Sequence, residues 1–118
     1  RIIMAINFTW DIKEVDVYPT LDENTNVIYN VHWELIAEDD ANQDLKGRNL
    51  KANNIGVQHL DTSDLSGFVD FNSVTSSQVE TWIENAMGSE MLEMHKQSLR
   101  DNIEKQITPT TITKQLSS

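Results

Sequence analysis

Apolar and polar residues alternate near the start of the chain. Ile6, Phe8, Trp10 and Ile12 face Asn7, Thr9, Asp11 and Lys13, the period of a strand with one buried and one wet side. At Val15 and Val17 the apolar positions move from even to odd numbers, which predicts a bulge, kink or turn near Lys13-Glu14 and leaves the valines free to form a separate short strand. Pro19 and the polar run Asp22-Glu23-Asn24-Thr25-Asn26 predict a turn. The longest alternation follows, with Val27, Tyr29, Val31, Trp33, Leu35 and Ala37 on one face; Ile28 and Ile36 predict partial cover on the other. Residues 38–44 read as a loop. Residues 45–60 read as a less regular extended region supplying one or two further strands, with Gly47 and Gly56 as bends. Phe68, Val69 and Phe71 are predicted to end the β half.

The period then changes. Thr75 is a good N-cap, Gln78 stands where a capping box needs a side-chain acceptor, and Val74 can staple onto Val79. Val79, Trp82, Ile83 and Ala86 form one apolar helical stripe, and Gly88 is predicted to stop the helix in a left-handed conformation. Ser89 is predicted to cap a second helix in which Leu92, His95 or Lys96, Leu99, Ile103 and Gln106 share a face, ending at Thr108-Pro109. One glycine between two helices predicts an angled corner. Strands followed by helices, without alternation, predict an α+β fold: an antiparallel β-sheet from the N-terminal half packed with two C-terminal helices. The expected organisation is a single domain over residues 1–107 and a C-terminal extended tail over 108–118.

Composition narrows the chemistry. The 118 residues include no cysteine, which removes disulfides, thiol catalysis and cysteine-ligated metals. Nine basic against nineteen acidic residues give a formal charge of -10, unfavourable for binding nucleic acid or an anionic membrane through a broad positive surface. The plain reading of that charge is solubility; the sharper one is an acidic surface that docks on a basic partner or mimics the charge of DNA. Without an apolar run long enough to span a bilayer or an export signal, a soluble, non-exported protein is expected. The sequon Asn7-Phe8-Thr9 falls in a predicted strand and reads as chance. Met4-Ala5 resembles a natural start, which would make Arg1-Ile2-Ile3 residues of a vector or of an upstream start.

No catalytic, cofactor or metal site is predicted. Asp40, Asn42 and Asp44 occupy the first ligand positions of a calcium loop, but Leu45 stands where the glycine belongs and Lys51 where the bidentate glutamate belongs. The run from Asp22 to Asn26 fails in the same way, with Val27 and Trp33 at those positions, so both read as polar turns. His32, His59 and His95 lack the close spacing of a zinc site, and no nucleophile sits on a glycine elbow. Trp10, Trp33 and Trp82 each fall on the apolar side of their own element, which predicts core packing over stacking on sugars or bases.

The tail, TPTTITKQLSS, is polar except for Ile112 and Leu116. With Ile2 and Ile3 at the other end, these are the candidate protein-contact residues, against the same chain or a neighbour, as in strand addition to a sheet edge. The order Val31-His32-Trp33-Glu34-Leu35, Gly47, Phe68-Val69-Asp70-Phe71, Val74-Thr75-Ser76-Ser77-Gln78-Val79, Trp82-Ile83 and Ala86-Met87-Gly88 resembles a family of small uncharacterised proteins of tailed bacteriophages, often encoded among virion genes. The likeness runs from Met4 to about Pro109. In that family the tail often ends in a Leu-Pro-Trp-like motif, where this chain has Lys114-Gln115-Leu116. The matching residues are packing and capping residues and carry over no active site. What the resemblance implies is a non-enzymatic structural or accessory protein of the virion, a capsid decoration, neck or tail component, assembled in the host cytoplasm. Its expected partners are other virion proteins, in a homo-oligomer or symmetric array. The alternative is an acidic phage-encoded inhibitor that mimics nucleic-acid charge against a host DNA-binding protein.

Overall fold

A computed structural model describes residues 3–63, 65, 68–109 and 116. Its strands β1 (Ile6–Leu21), β2 (Asn24–Gln43) and β3 (Asn49–His59) form one antiparallel sheet with β2 in the centre. A 3₁₀ turn at Phe71–Ser73 leads into α1 (Ser76–Met87) and α2 (Ser89–Ile107). The fold is α+β, an N-terminal antiparallel sheet followed by two C-terminal helices, as the change of period predicted.

The shift of apolar positions in β1 is a bulge. Pairing moves from Ile12 opposite Trp33 to Glu14 opposite His32, leaving Lys13 as the extra residue. A second irregularity restores the register: Asp16 faces Asn30 and Val17 faces Ile28, so Tyr29 is extra on β2. Val15 and Val17 therefore continue β1 and do not form a strand of their own. The expected one-sided run on β2 is interrupted at the same place. Tyr29 leaves the alternation and stacks on Tyr18 at 4.2 Å, while Val31, Trp33, Leu35 and Ala37 keep to the core.

The turns are tighter than predicted. β1 runs through Pro19, and only Asp22 and Glu23 form the hairpin turn, with φ of 49° and 70°, the pair of positive values that matches the twist of the flanking strands. Residues 38–43 belong to β2, contrary to the loop expected there; the true turn begins at Asp44, whose Oδ1 accepts from the backbone N–H of Lys46 and of Arg48, with Gly47 at φ 82°. Residues 45–60 give one strand. Gly56 is no bend but a regular β3 residue opposite Trp33. Phe68 and Val69 lie outside any strand and Phe71 begins the 3₁₀ turn, so the sheet ends at His59.

Both helices lie on one face of the sheet. Val79 and Ile83 of α1 and Leu99 and Ile103 of α2 meet the β2 residues together with Leu50 and Ala52 of β3; Ile6, Phe8, Trp10 and Ile12 of β1 pack around them, partly buried. The N-terminus of α1 has the predicted capping box: Gln78 N–H donates to Thr75 Oγ1 at 3.2 Å and Thr75 N–H to Gln78 Oε1 at 2.9 Å. Thr75→Ala is expected to lower stability by about 1 kcal/mol, read as a shifted urea midpoint with an unchanged slope. Gly88 departs from the left-handed expectation. Its φ of 87° and ψ of 155° lie in a region essentially reserved for glycine, and it serves both as C-cap of α1 and N-cap of α2. Ser89 is consequently the first residue of α2, not its cap.

Candidate functional site

The strand register divides the sheet into a face under the helices and a face that neither described helix covers. On the open face lie Asp11, Glu14 and Asp16 of β1 and Glu34, Glu38 and Asp40 of β2; Asp11 stands opposite Glu34, Glu14 and Asp16 continue the row on β1, and Glu38 and Asp40 continue it on β2. The sequence hides this cluster, because the carboxylates lie in separate strands and the bulge at Lys13 is what turns Glu14 and Asp16 to the side of Asp11.

The bulge at Lys13 places its ammonium between two of them, 2.7 Å from Asp11 Oδ2 and 3.0 Å from Glu34 Oε1. Hydrogen bonds to Asp11 and then Glu34 raise the Lys13 pKa. The bond from Lys13, and then one from Asn53, hold the Glu34 carboxyl below its usual range. Toward the hairpin end, Asp16 Oδ2 lies 2.9 Å from His32 Nε2 and accepts from Asn30 Nδ2, and Asn30 Oδ1 lies 3.2 Å from His59 Nδ1. The His32 contact is the main cause of the lowered Asp16 pKa. Beside these charges, opposite Glu34 and His32, stand Ile55 and Val57 of β3, 71% and 55% exposed. A face that mixes fixed carboxylates with bare aliphatic side chains is equipped to bind a protein surface.

His32 and Asp16 form the nearest approach to a catalytic pair, but no described serine, threonine or lysine side chain hydrogen-bonds to a histidine. His95 is remote from the other two histidines in its role: it bonds Asn54 at 3.2 Å and meets the Trp33 ring edge-on. Among the described residues no group of three His, Asp or Glu could hold a metal ion. The two aborted calcium-loop runs are spent on structure, Asp22 in the hairpin turn, Asp44 in the β2–β3 turn and Asp40 on Asn7. Trp33 is core, with Trp10 edge-on against it at 5.4 Å. Trp10 is half-buried and donates from Nε1 to Glu84 of α1 at 2.8 Å.

Of the predicted contact residues, Ile2 and Ile112 lie outside the described residues. Ile3 is 74% and Leu116 93% exposed, and the Ile3 carbonyl accepts from Asn42 Nδ2 at 2.8 Å. Both side chains therefore lie at the surface. A second feature had no signal in the sequence. Between the hairpin end of the sheet and α1 runs an open groove of about 420 Å³, lined by Val27, Leu60, Phe68, Val69, Val74 and Trp82, with Asp61 and Asn85 among its polar positions. Its walls come from segments far apart in the chain. No helix among the described residues is long and apolar enough to cross a membrane.

The family described as a domain of unknown function, DUF7936, matches residues 5–116. No curated protein and no solved structure matches the chain.

Proposed function

We propose that this chain, which belongs to the DUF7936 family, is a non-enzymatic structural or accessory component of a tailed-bacteriophage particle, a decoration, neck or tail protein that works by binding neighbouring subunits. The phage setting rests on the sequence resemblance. The mode of action rests on one observation, the sheet face, uncovered by either described helix, on which rows of carboxylates on β1 and β2 run beside exposed Ile55 and Val57 of β3. Such a face suits a basic neighbour that can also cover two aliphatic side chains. The carboxylates give orientation and fast encounter, and the apolar island slows dissociation. Repetition in a symmetric particle would multiply a modest single contact into stable attachment.

The test is mass spectrometry of purified, nuclease-treated particles, with copy number taken relative to the major capsid protein. Detection at tens of copies or more per particle, the repetition that multivalent attachment needs, supports the reading. Absence from particles while the protein is abundant in infected cells overturns it. Replacing Ile55 and Val57 together by glutamate is expected to reduce incorporation about tenfold or more, since the proposed interface would lose its two exposed aliphatic side chains. The fold should be retained, both side chains being exposed.

The clustering of carboxylates on one face also favours a second reading, an acidic inhibitor occupying the nucleic-acid site of a host DNA-binding protein. That reading predicts binding to a single soluble partner that weakens steeply with salt, and no copies in the particle.

A further inference from the structure

We propose that the groove beside α1 receives the C-terminal tail of a second copy of this chain, residues 110–116, so that copies join head to tail. The inference stands on the groove and the tail alone and holds whether or not the protein belongs to a particle.

The direction of α2 decides which copy can supply the tail. Near its start, His95 bonds Asn54 and packs against Trp33, whose partner is Gly56; near its end, Gln106 Nε2 donates to the Lys51 carbonyl at 2.9 Å. The helix thus runs antiparallel to β3, and the tail leaves it beside Lys51. The groove lies past the other end of β3, at Leu60 and Asp61. From Lys51 to Leu60 the strand spans roughly 30 Å at its usual rise. Ile112 comes five residues after Ile107, where α2 ends, a reach of roughly 17 Å even fully extended. Ile112 cannot enter the groove of its own chain. Leu116 could approach it only if the whole tail ran straight along the sheet. A neighbouring copy faces no such limit.

The chemistry of the two parts matches. The groove offers aliphatic and aromatic walls with the carboxyl of Asp61 at hand, held below its usual range by hydrogen bonds from Ser63. The tail offers Ile112 and Leu116 as its large apolar side chains with Lys114 between them. Leu116 is 93% exposed on the single chain, so the tail's last apolar group is not used within the fold. The family match extends to Leu116, well beyond the end of α2, which makes the tail part of the shared chain and not an appendage to it. Groove and tail are different surfaces, so the contact is heterologous, and repetition yields a ring if the rotation closes or a filament if it does not.

Sedimentation velocity of the full chain over a range of concentrations tests this. The mass should rise above the 13.5 kDa of one chain as concentration increases. Two variants should each abolish that rise: Ile112→Asp with Leu116→Asp, which spoils the tail, and Ala86→Trp, which fills the groove. Ala86 is exposed and lines the groove, and circular dichroism checks that the fold survives. Mixed in equal amounts, the two variants should form a one-to-one dimer and nothing larger, because one intact tail meets one intact groove. A wild-type chain that stays monomeric throughout overturns the proposal. So does assembly that survives loss of the tail, or a mixture that remains monomeric although each variant is folded.

Discussion

Asp39→Leu is expected to destabilise the protein by about 3–5 kcal/mol, the range reached when a buried hydrogen-bond network loses its acceptor. Asp39 is fully buried on the core side of β2, in line with Leu35 and Ala37. No described cation pairs with it. Its Oδ1 accepts from the backbone N–H of Ala5 at 3.0 Å and of Ala41 at 2.9 Å, and Oδ2 from Asn42 Nδ2 at 2.8 Å. Asn42 Nδ2 in turn reaches the Ile3 carbonyl, and Asp40 N–H donates to the Ala5 carbonyl. The carboxylate therefore fastens the start of β1 to the end of β2. Leucine would fill much of the space but strand these donors, each worth about 1–3 kcal/mol when buried and unpaired. Burial of the carboxyl by itself would push its pKa up; the donors from Ala5, Asn42 and Ala41 outweigh that and leave it below the usual carboxylate range.

The sign of the pH effect follows. A carboxyl whose folded pKa is depressed contributes stability that is complete above its unfolded value, about 3.9, and is lost as pH falls through the folded value. Urea midpoints measured from neutral to acidic pH should therefore fall less steeply for Asp39→Leu than for the wild type. An unchanged acid slope would mean that Asp39 does not carry this linkage.

Asp39 also explains where sequence reading stopped short. Periodicity identified β1, most of β2 and both helices because Ile6 to Ile12, Val31 to Ala37 and the stripe of α1 repeat at the spacing of their elements. The capping box was legible because its two residues lie three apart in the chain. After Ala37 the next core position is an aspartate, and hydropathy has no means of telling a carboxylate satisfied by distant backbone amides from one in a loop. Periodicity alone therefore reads residues 38–44 as a loop, of which only Asp44 belongs to a turn. The open acidic face is hidden for a related reason: the shift of apolar positions marks an irregularity near Lys13 without saying that a bulge there turns Glu14 and Asp16 to the side of Asp11 and Glu34. The groove joins the hairpin end of the sheet, the segment after β3 and α1, three parts with no shared local pattern. The ends were legible only as apolar residues in polar surroundings, which names Ile112 and Leu116 without saying what they meet.

Gly56 gave the opposite error, since its role is in packing and not in bending. A Cβ built on Gly56 would stand 2.6 Å from Trp33 Cζ2 and 3.0 Å from Cε2, inside the closest approach of real atoms. Trp33 has little freedom to retreat: it is 4% exposed, held edge-on by Trp10 on one side and by His95 on the other. The indole lies across the bare backbone of β3, so glycine here supplies space for the largest core side chain in the sheet. Gly56→Ala is expected to cost about 2 kcal/mol and Gly56→Val about 3 kcal/mol or more, in the range of overpacked cores. The cause can be separated from a loss of backbone freedom by a second substitution. In the Trp33→Leu background the ring is gone, and the added penalty of Gly56→Ala should shrink to a few tenths of a kcal/mol or reverse, because strands favour a side chain over glycine when there is room for one. Equal penalties in the two backgrounds, read from urea unfolding, would show that the Trp33 ring is not what Gly56 accommodates.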